Sequence, residues 1–320
     1  MALHHTERMM HLARDPAGPS LAPRGSVVAV GALDGLHRGH QALLTRVRER
    51  ATAQNLSPLA VSFEPLPRAF FMPTPLPRLG SVREKIAGIA AAGMHALLLL
   101  RFDAALAAMS AETFVRQVLL ARCGAREIWV GADFRFGHAR GGDLALLQRM
   151  GAQLGFAAHA LETQAHDGAR ISSSAIRAAL AEGRFEAAAA LLGRPFTMGG
   201  RVVRGQQLGR RLGYPTANIR LGRRVSPLAG IFAVRVQGVA EQPWPGVASL
   251  GLRPTVDGRE MLLEAHLFDF SGDLYGRHLD IAFVQKLRDE EKFADLAALT
   301  AQMHRDAAAA RRVLSEPLTA

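Results

Sequence analysis

From residue 26 to residue 162, hydrophobic positions alternate between short unbroken runs and helix-spaced sets. Val27–Val30, Leu59–Phe63, Ala96–Leu100 and Glu127–Gly131 are compact, mostly apolar runs, and a fifth covers 156–161. Such runs suit strands of a parallel sheet, whose two faces are both covered by helices. Between them the spacing becomes that of a single helical face. Leu43, Leu44 and Val47 fall together within Gln41–Arg50, Ser110 and Glu112 open a stretch reaching Arg122, and 143–154 repeats the pattern. Ser81-Val82-Arg83-Glu84 reads as a capping box that starts a further helix. This alternation predicts an α/β unit with a doubly wound parallel sheet.

Past residue 190 the pattern changes. Gly193-Arg194-Pro195 breaks the helical spacing of Glu186–Leu192. Short β-like runs follow with glycines between them: Met198–Val203, Ile231–Val236, Gly246–Leu250, Met261–Phe268 and His278–Val284. Runs without intervening helices predict an antiparallel barrel or sandwich. Helical spacing returns over Glu290–Leu314. The expected organisation is a polar, disordered extension over 1–24, a first domain over 25–185 and a second over 186–320. No internal repeat is present.

Composition narrows the function classes. The chain has 320 residues, 49% hydrophobic and 21% charged, as for a globular protein with a substantial core. Its formal net charge of +11 and pI near 11.1 favour anionic ligands. Of 39 basic residues only Lys85, Lys286 and Lys292 are lysine; the 36 arginines are scattered, which argues against a nucleic-acid face. Cys123 is the only cysteine, so no intrachain disulfide forms. The longest apolar run, Ile86–Leu100, is shorter than the ~20 residues of a membrane span. The first 24 residues lack a signal-peptide core, so a cytoplasmic location is expected.

Candidate chemistry in the first half centres on Gly31-Ala32-Leu33-Asp34-Gly35-Leu36-His37-Arg38-Gly39-His40, which joins a strand to a helix. Two imidazoles three residues apart at a helix start lie on one side, beside exposed amides and the positive dipole end. Gly39 leaves room for a phosphate to approach. Such a constellation suits charge developing on phosphorus; an ordinary turn with two exposed histidines fits as well. Gly131–Gly137 carries Asp133 and Phe134 just after a strand, and Phe63-Glu64-Pro65 ends another. Either stretch can hold a planar ring or simply plug a sheet end. Arg170-Ile171-Ser172-Ser173-Ser174-Ala175-Ile176-Arg177 combines helix-start hydroxyls with two guanidinium forks, favouring an anion.

In the second half, Gly199–Gly205 leads into Leu208–Asn218, whose recurrent glycines allow amides to wrap phosphate. In extended Pro215-Thr216-Ala217-Asn218, Thr216 and Asn218 share a face and offer hard neutral oxygens suited to Mg²⁺. A turn feeding an ordinary strand fits equally. Along Met261–Asp269, alternation puts Leu262, Glu264, His266 and Phe268 together. A mid-strand carboxylate among apolar neighbours needs a partner or a task, such as taking a proton from an attacking alcohol.

These motifs, in this order over Val27–Arg305, resemble the prokaryotic bifunctional riboflavin kinase/FMN adenylyltransferase (FAD synthetase) family. Those carrying the resemblance are Asp34–His40, Phe63-Glu64-Pro65, Gly131–Gly137, Ile171–Arg177, Gly200-Arg201-Val202, Leu208–Asn218, Glu264–Phe270, Leu274-Tyr275-Gly276 and Leu287–Glu290. The resemblance implies a Rossmann-like nucleotidyltransferase domain with a parallel sheet, then a small antiparallel flavokinase β-barrel with a C-terminal helix. It implies ATP-dependent conversion of riboflavin to FMN and of FMN to FAD, with Mg²⁺ as cofactor. His37 and His40 would stabilise phosphates, with Gly31, Asp34 and Gly39 in the same ATP site and Arg170, Ser173, Ser174 and Arg177 on the triphosphate. Phe63, Asp133 and Phe134 would lie near the flavin. In the kinase, Gly205, Gly209, Arg210 and Gly213 would face nucleotide and Thr216 and Asn218 would hold Mg²⁺·nucleotide. Glu264 would be the base and Arg288 would close over flavin. Partners are small molecules, without nucleic acid or membrane; a homo-oligomer stays open. The chain departs from the family pattern at Ala32-Leu33, Leu66 and Ser249. Those departures keep two alternatives: a riboflavin kinase with weak or lost adenylyl transfer, and a basic RNA- or partner-binding protein on an inactive scaffold.

Overall fold

A computed structural model of the chain describes residues 9–162, 165–166, 168–205, 209, 212–222, 225–255 and 258–315. It divides into two compact units, the first running to Leu76 and resuming over Val82–Ser172, the second comprising Pro77–Ser81 and the chain from Ser173.

The first unit runs β1 (His11–Ala13), β2 (Ser26–Val30), α1 (Arg38–Ala53), β3 (Ser57–Glu64), α2 (Pro67–Phe71), α3 (Val82–Ala91), β4 (Ala96–Arg101), α4 (Ala104–Ala108) and α5 (Ala111–Thr113). A π-helix, Phe114–Arg122, extends α5; β5 (Ala125–Gly131), α6 (Leu144–Leu154) and β6 (Ala157–Leu161) follow, then a small antiparallel pair, β7 (Ala165–His166) and β8 (Ala169–Arg170). The main sheet has the order β1-β4-β3-β2-β5-β6, with all pairings parallel. Alternate residues of β2 enter different cores: Val27 and Ala29 pack with Leu43, Leu44 and Ile89, whereas Val28 and Val30 pack with Val115, Val118 and Leu147. That double burial is why the strands read as unbroken apolar runs. Strand order reverses around β2, between β3 and β5. The ends of β2 and β5 therefore flank the switch-point crevice where open α/β sheets take ligands.

The N-terminal extension differs from expectation. Residues 9–24 are ordered, and residues 1–8 lie outside the described set. β1 pairs in parallel with β4, Leu21 and Ala22 are buried, and the buried Arg122 donates from Nε to the Asp15 carbonyl (3.1 Å) and from Nη1 to the Pro19 carbonyl. Sheet edge and guanidinium are remote in sequence, so nothing in this polar segment signals them.

The second unit begins with a helix pair, α7 (Ser173–Ala181) and α8 (Phe185–Leu192), and continues with β9 (Thr197–Val203), β10 (Ala217–Arg220), β11 (Gly230–Gln237), β12 (Trp244–Thr255), β13 (Gly258–Leu267) and β14 (His278–Arg288). The last helix is α9 (Leu296–Ser315). Both α7 and α8 bury apolar faces in this unit, so the compact boundary falls at Ser172/Ser173, ahead of the expected 185/186. The six strands close an antiparallel barrel in the order β10-β13-β12-β11-β14-β9. Ile219, Leu250 and Leu263 are buried. On the opposite side of these strands, α9 covers Ala233 and Phe268 with Ala307, Ala310 and Leu314. Helical structure starts at 296 rather than 290. Asp295 caps α9 by accepting from the Ala298 amide (2.8 Å), and Arg288 holds the Asp289 carbonyl (2.8 Å), leaving 289–295 as a loop.

Candidate active sites

The histidine turn is backbone-strained and held from below. Leu33, Gly35 and Leu36 all have positive φ (49°, 76° and 44°). Non-glycine residues there cost on the order of 1–3 kcal/mol each. Burial of both leucines in the α1/α3 core offsets that cost. His37 caps α1, its Nδ1 accepting from the His40 amide at 3.3 Å. With Nδ1 an acceptor, the proton of neutral His37 sits on Nε2 and leaves that atom as a donor. The rings of His37 and His40 stack at 3.7 Å. Burial, and then the nearness of His37 and Lys85, hold His40 well below the ordinary imidazole value, so it is neutral at pH 7. Its Nδ1 is buried without a hydrogen-bond partner among the described residues. Gly39 has a further reason to be glycine: a Cβ there would stand 3.3 Å from the His37 ring and 3.9 Å from Ile171. The segment ahead of α7 therefore reaches the turn.

Asp34 is buried in the turn, and Gly31 directly follows β2, its amide donating to the Val61 carbonyl (3.1 Å). Asp133 and Arg170 are brought together as an ion pair of 2.7 Å, and the hydrogen bond from Arg170 lowers the Asp133 pKa. Phe134 stacks on Phe136 (5.3 Å, 16°). Phe63 is buried between Phe102 and Phe114 in the core and presents no exposed stacking face. Ser173, Ser174 and Arg177 open α7 in the second unit, where Arg177 Nε donates to the Pro77 carbonyl at 2.6 Å.

Strand register builds the site of the second unit. Asn218 pairs with Glu264, Glu264 with Ser249, Ser249 with Ile231 and Ile231 with Arg288. These five residues form one row across five adjacent strands. At ~4.8 Å per strand the row extends roughly 19 Å. The face bearing Glu264 and Ser249 lines a cavity of ≈ 360 Å³, whose far wall includes Leu299, Met303 and Asp306 of α9. Thr216 lines it too, beside Gly209 and Tyr214. Asn218 is 6% exposed, and a Cβ on Gly205 would lie 2.4 Å from its Oδ1, so that glycine makes room for the carboxamide. Gly213 takes φ 84° as the chain turns into Tyr214-Pro215-Thr216. Arg210 lies outside the described residues.

Several supporting groups were missed by sequence reasoning. Buried Asp306 takes a fork from Arg288 (Nε 2.9 Å, Nη2 2.7 Å), which raises the Arg288 pKa. His304 is hydrogen-bonded to the Tyr214 hydroxyl, and His266 Nδ1 meets the Pro215 carbonyl at 2.9 Å. In the first unit, Lys85 is buried under the histidine turn. The one available sequence signal was a lysine on the helical face of Val82, Ile86 and Ile89. Among the described residues no group of three or more His, Cys, Asp or Glu is arranged to hold a metal, and no helix is long and apolar enough to cross a membrane.

Two imidazoles at a helix start over a parallel sheet, and a carboxylate beside neutral oxygens on a closed barrel, define a two-unit enzyme transferring phosphorus-containing groups. Family models agree: FAD synthetase matches residues 20–175 and riboflavin kinase matches 192–314. The bifunctional riboflavin kinase/FMN adenylyltransferase of Escherichia coli K12 is 44% identical over 304 residues, covering 94% of this chain and 97% of that protein. The protein of the same description from Pseudomonas fluorescens is 46% identical over 289 residues, covering 90% and 93%. A crystal structure described as a macrolide-efflux protein from Streptococcus pneumoniae has a TM-score of 0.78 at 28% identity, covering 95% of this chain and 99% of that one. The chain belongs to the bifunctional riboflavin kinase/FMN adenylyltransferase family.

Proposed function

We propose that the chain makes both flavin cofactors from riboflavin and ATP, with phosphorylation in the second unit and adenylylation in the first. The observation that carries this reading is the register row, which sets Asn218 and Glu264 side by side and ends at Arg288. In the kinase step the ribityl 5′-oxygen attacks the γ-phosphorus of ATP, Glu264 accepts its proton, and the bond to the bridging oxygen breaks to release ADP. Thr216 and Asn218 suit a hard divalent cation, since their oxygens are neutral and leave other positions to water and phosphate. Bound Mg²⁺ supplies neutralisation of phosphate charge. Arg288, fixed by Asp306, faces the flavin end, while Gly205, Gly209 and Gly213 let the backbone approach nucleotide.

In the adenylyl step an FMN phosphate oxygen attacks the α-phosphorus, and pyrophosphate leaves with the bridging oxygen. The attacking group is already an anion, so no base is needed. His37 Nε2–H, His40 and the first amides of α1 stabilise the developing charge. Asp34 and Gly39 shape that site, Arg170 binds phosphates, and Phe63, Asp133 and Phe134 bound the flavin. The location is cytoplasmic and the partners are small molecules. Incubation with riboflavin and MgATP, resolving FMN and FAD by chromatography, tests the reading. FMN should appear first and FAD after it; absence of either product from folded protein rejects the corresponding half.

A further inference from the structure

Lys85 is 4% exposed, in a chain that otherwise uses arginine for nearly every basic position. Its ammonium donates to the Ala32 carbonyl (2.9 Å) and the Phe63 carbonyl (3.1 Å), with Ser62 Oγ at 3.4 Å and Glu64 Oε2 at 3.8 Å. Ser62 Oγ itself donates to the Ala32 carbonyl at 3.0 Å. Acceptors converging on one point suit a compact ammonium and not a planar guanidinium. Ala32 begins the histidine turn, and Phe63-Glu64 ends β3, so one buried charge ties together two strand ends. One turn further along α3, Gly88 serves the other end of the histidine turn: a Cβ there would stand 2.3 Å from Leu36 Cδ1. The left-handed residues Leu33 and Leu36 are therefore gripped by α3 at both sides.

We propose that Lys85 is a positioning residue of the adenylyl-transfer site, setting the histidine turn against the end of β3. The proposal rests on reading that turn as the adenylyl-transfer site. Lys85 acts through the turn and through His40. Among the described residues, His37, stacked on it, and Lys85 from α3 bear electrostatically on His40. Glu64 at the end of β3 partners Lys85, and Asp34 lies in the same turn.

The test uses the full chain carrying Lys85→Met, which keeps the aliphatic stem and removes the ammonium. FMN adenylylation should fall on the order of 10–100-fold through misplacement of reacting groups, while riboflavin phosphorylation in the same preparation stays within about twofold. Two further readouts report on the turn itself. The His40 imidazole, followed by NMR, should titrate at higher pH, and the acid-side inflection of adenylylation should rise with it. Lys85→Arg should leave both near the parent values and recover activity only in part. Folded Lys85→Met whose FMN adenylylation stays within about twofold of the parent, or whose riboflavin phosphorylation falls equally, overturns the proposal. If that variant does not fold, Lys85→Gln is read by the same criteria. FAD formation surviving His37→Ala would instead reject the reading of the turn, leaving the two failures distinguishable.

Discussion

The candidate site of the first unit lies at the ends of parallel strands, while that of the second lies on the side of a closed barrel. At strand ends the candidate groups sit on loops, and here the loop includes left-handed Leu33 and Leu36. Such a loop holds its shape only through what lies beneath it: buried leucines, the His37 cap and the Lys85 ammonium. On the barrel, register does the positioning. Asn218, Glu264, Ser249, Ile231 and Arg288 are neighbours because hydrogen-bonded strands admit no other pairing without a slip that would turn every side chain over. A loop site thus depends on distant supports, and a sheet site on the residues that face it.

The contrast is broken most sharply at Glu264. Glu264→Gln keeps the shape and removes the proposed base, so FMN formation should drop ~10²–10⁴-fold, with supplied FMN still converted to FAD. A near-normal kinase rate would make Glu264 an ordinary strand carboxylate. His37→Ala comes next. Loss of a key donor costs ~2.7–4 kcal/mol at comparable sites, so FAD formation should fall and FMN accumulate. Both activities falling together in folded protein would contradict separate sites. Leu66 sharpens the contrast further. It is 2% exposed, so Leu66→His must bury an imidazole at a cost of ~1–3 kcal/mol. A lower Tm without gain in FAD synthesis is expected; a gain would mean that the side chain reaches phosphate.

Asp306→Asn weakens the fork that fixes Arg288. The Michaelis constant for riboflavin should rise about 5–10-fold, as for the net worth of one ordinary hydrogen bond, and that for MgATP should not. Equal effects on both would mean that Asp306 merely fastens α9. The smallest expected effect lies away from both sites. Desolvation would raise the Glu127 pKa, but hydrogen bonds from Arg50, Trp129 and Gln54 outweigh it and hold the group at about 2, against an ordinary 4.5. Its contribution to stability is therefore present above pH ~4.5 and lost as pH falls toward 2. Melting curves of Glu127→Gln should lack that part of the acid-induced decline; an unchanged acid limb would assign the decline to other carboxylates.

By itself the sequence determined every strand whose burial shows in its pattern, since two-sided coverage demands unbroken apolar runs and one-sided coverage demands alternation. It also singled out as candidates the residues that sit against their surroundings: two imidazoles at a helix start, Thr216 and Asn218 at strand spacing, and Glu264 among apolar neighbours. Only tertiary structure decided what depends on partners far along the chain. β1 exists because β4 offers an edge and Arg122 holds the carbonyls behind it, and α9 begins late because Asp295 caps it while Arg288 claims the preceding loop. Lys85, Asp306 and His304 acquire roles only when folding brings acceptors or donors to them. A charge on a helix has no legible purpose until the group it meets is known, because its energy depends on burial and partner and not on its neighbours in sequence.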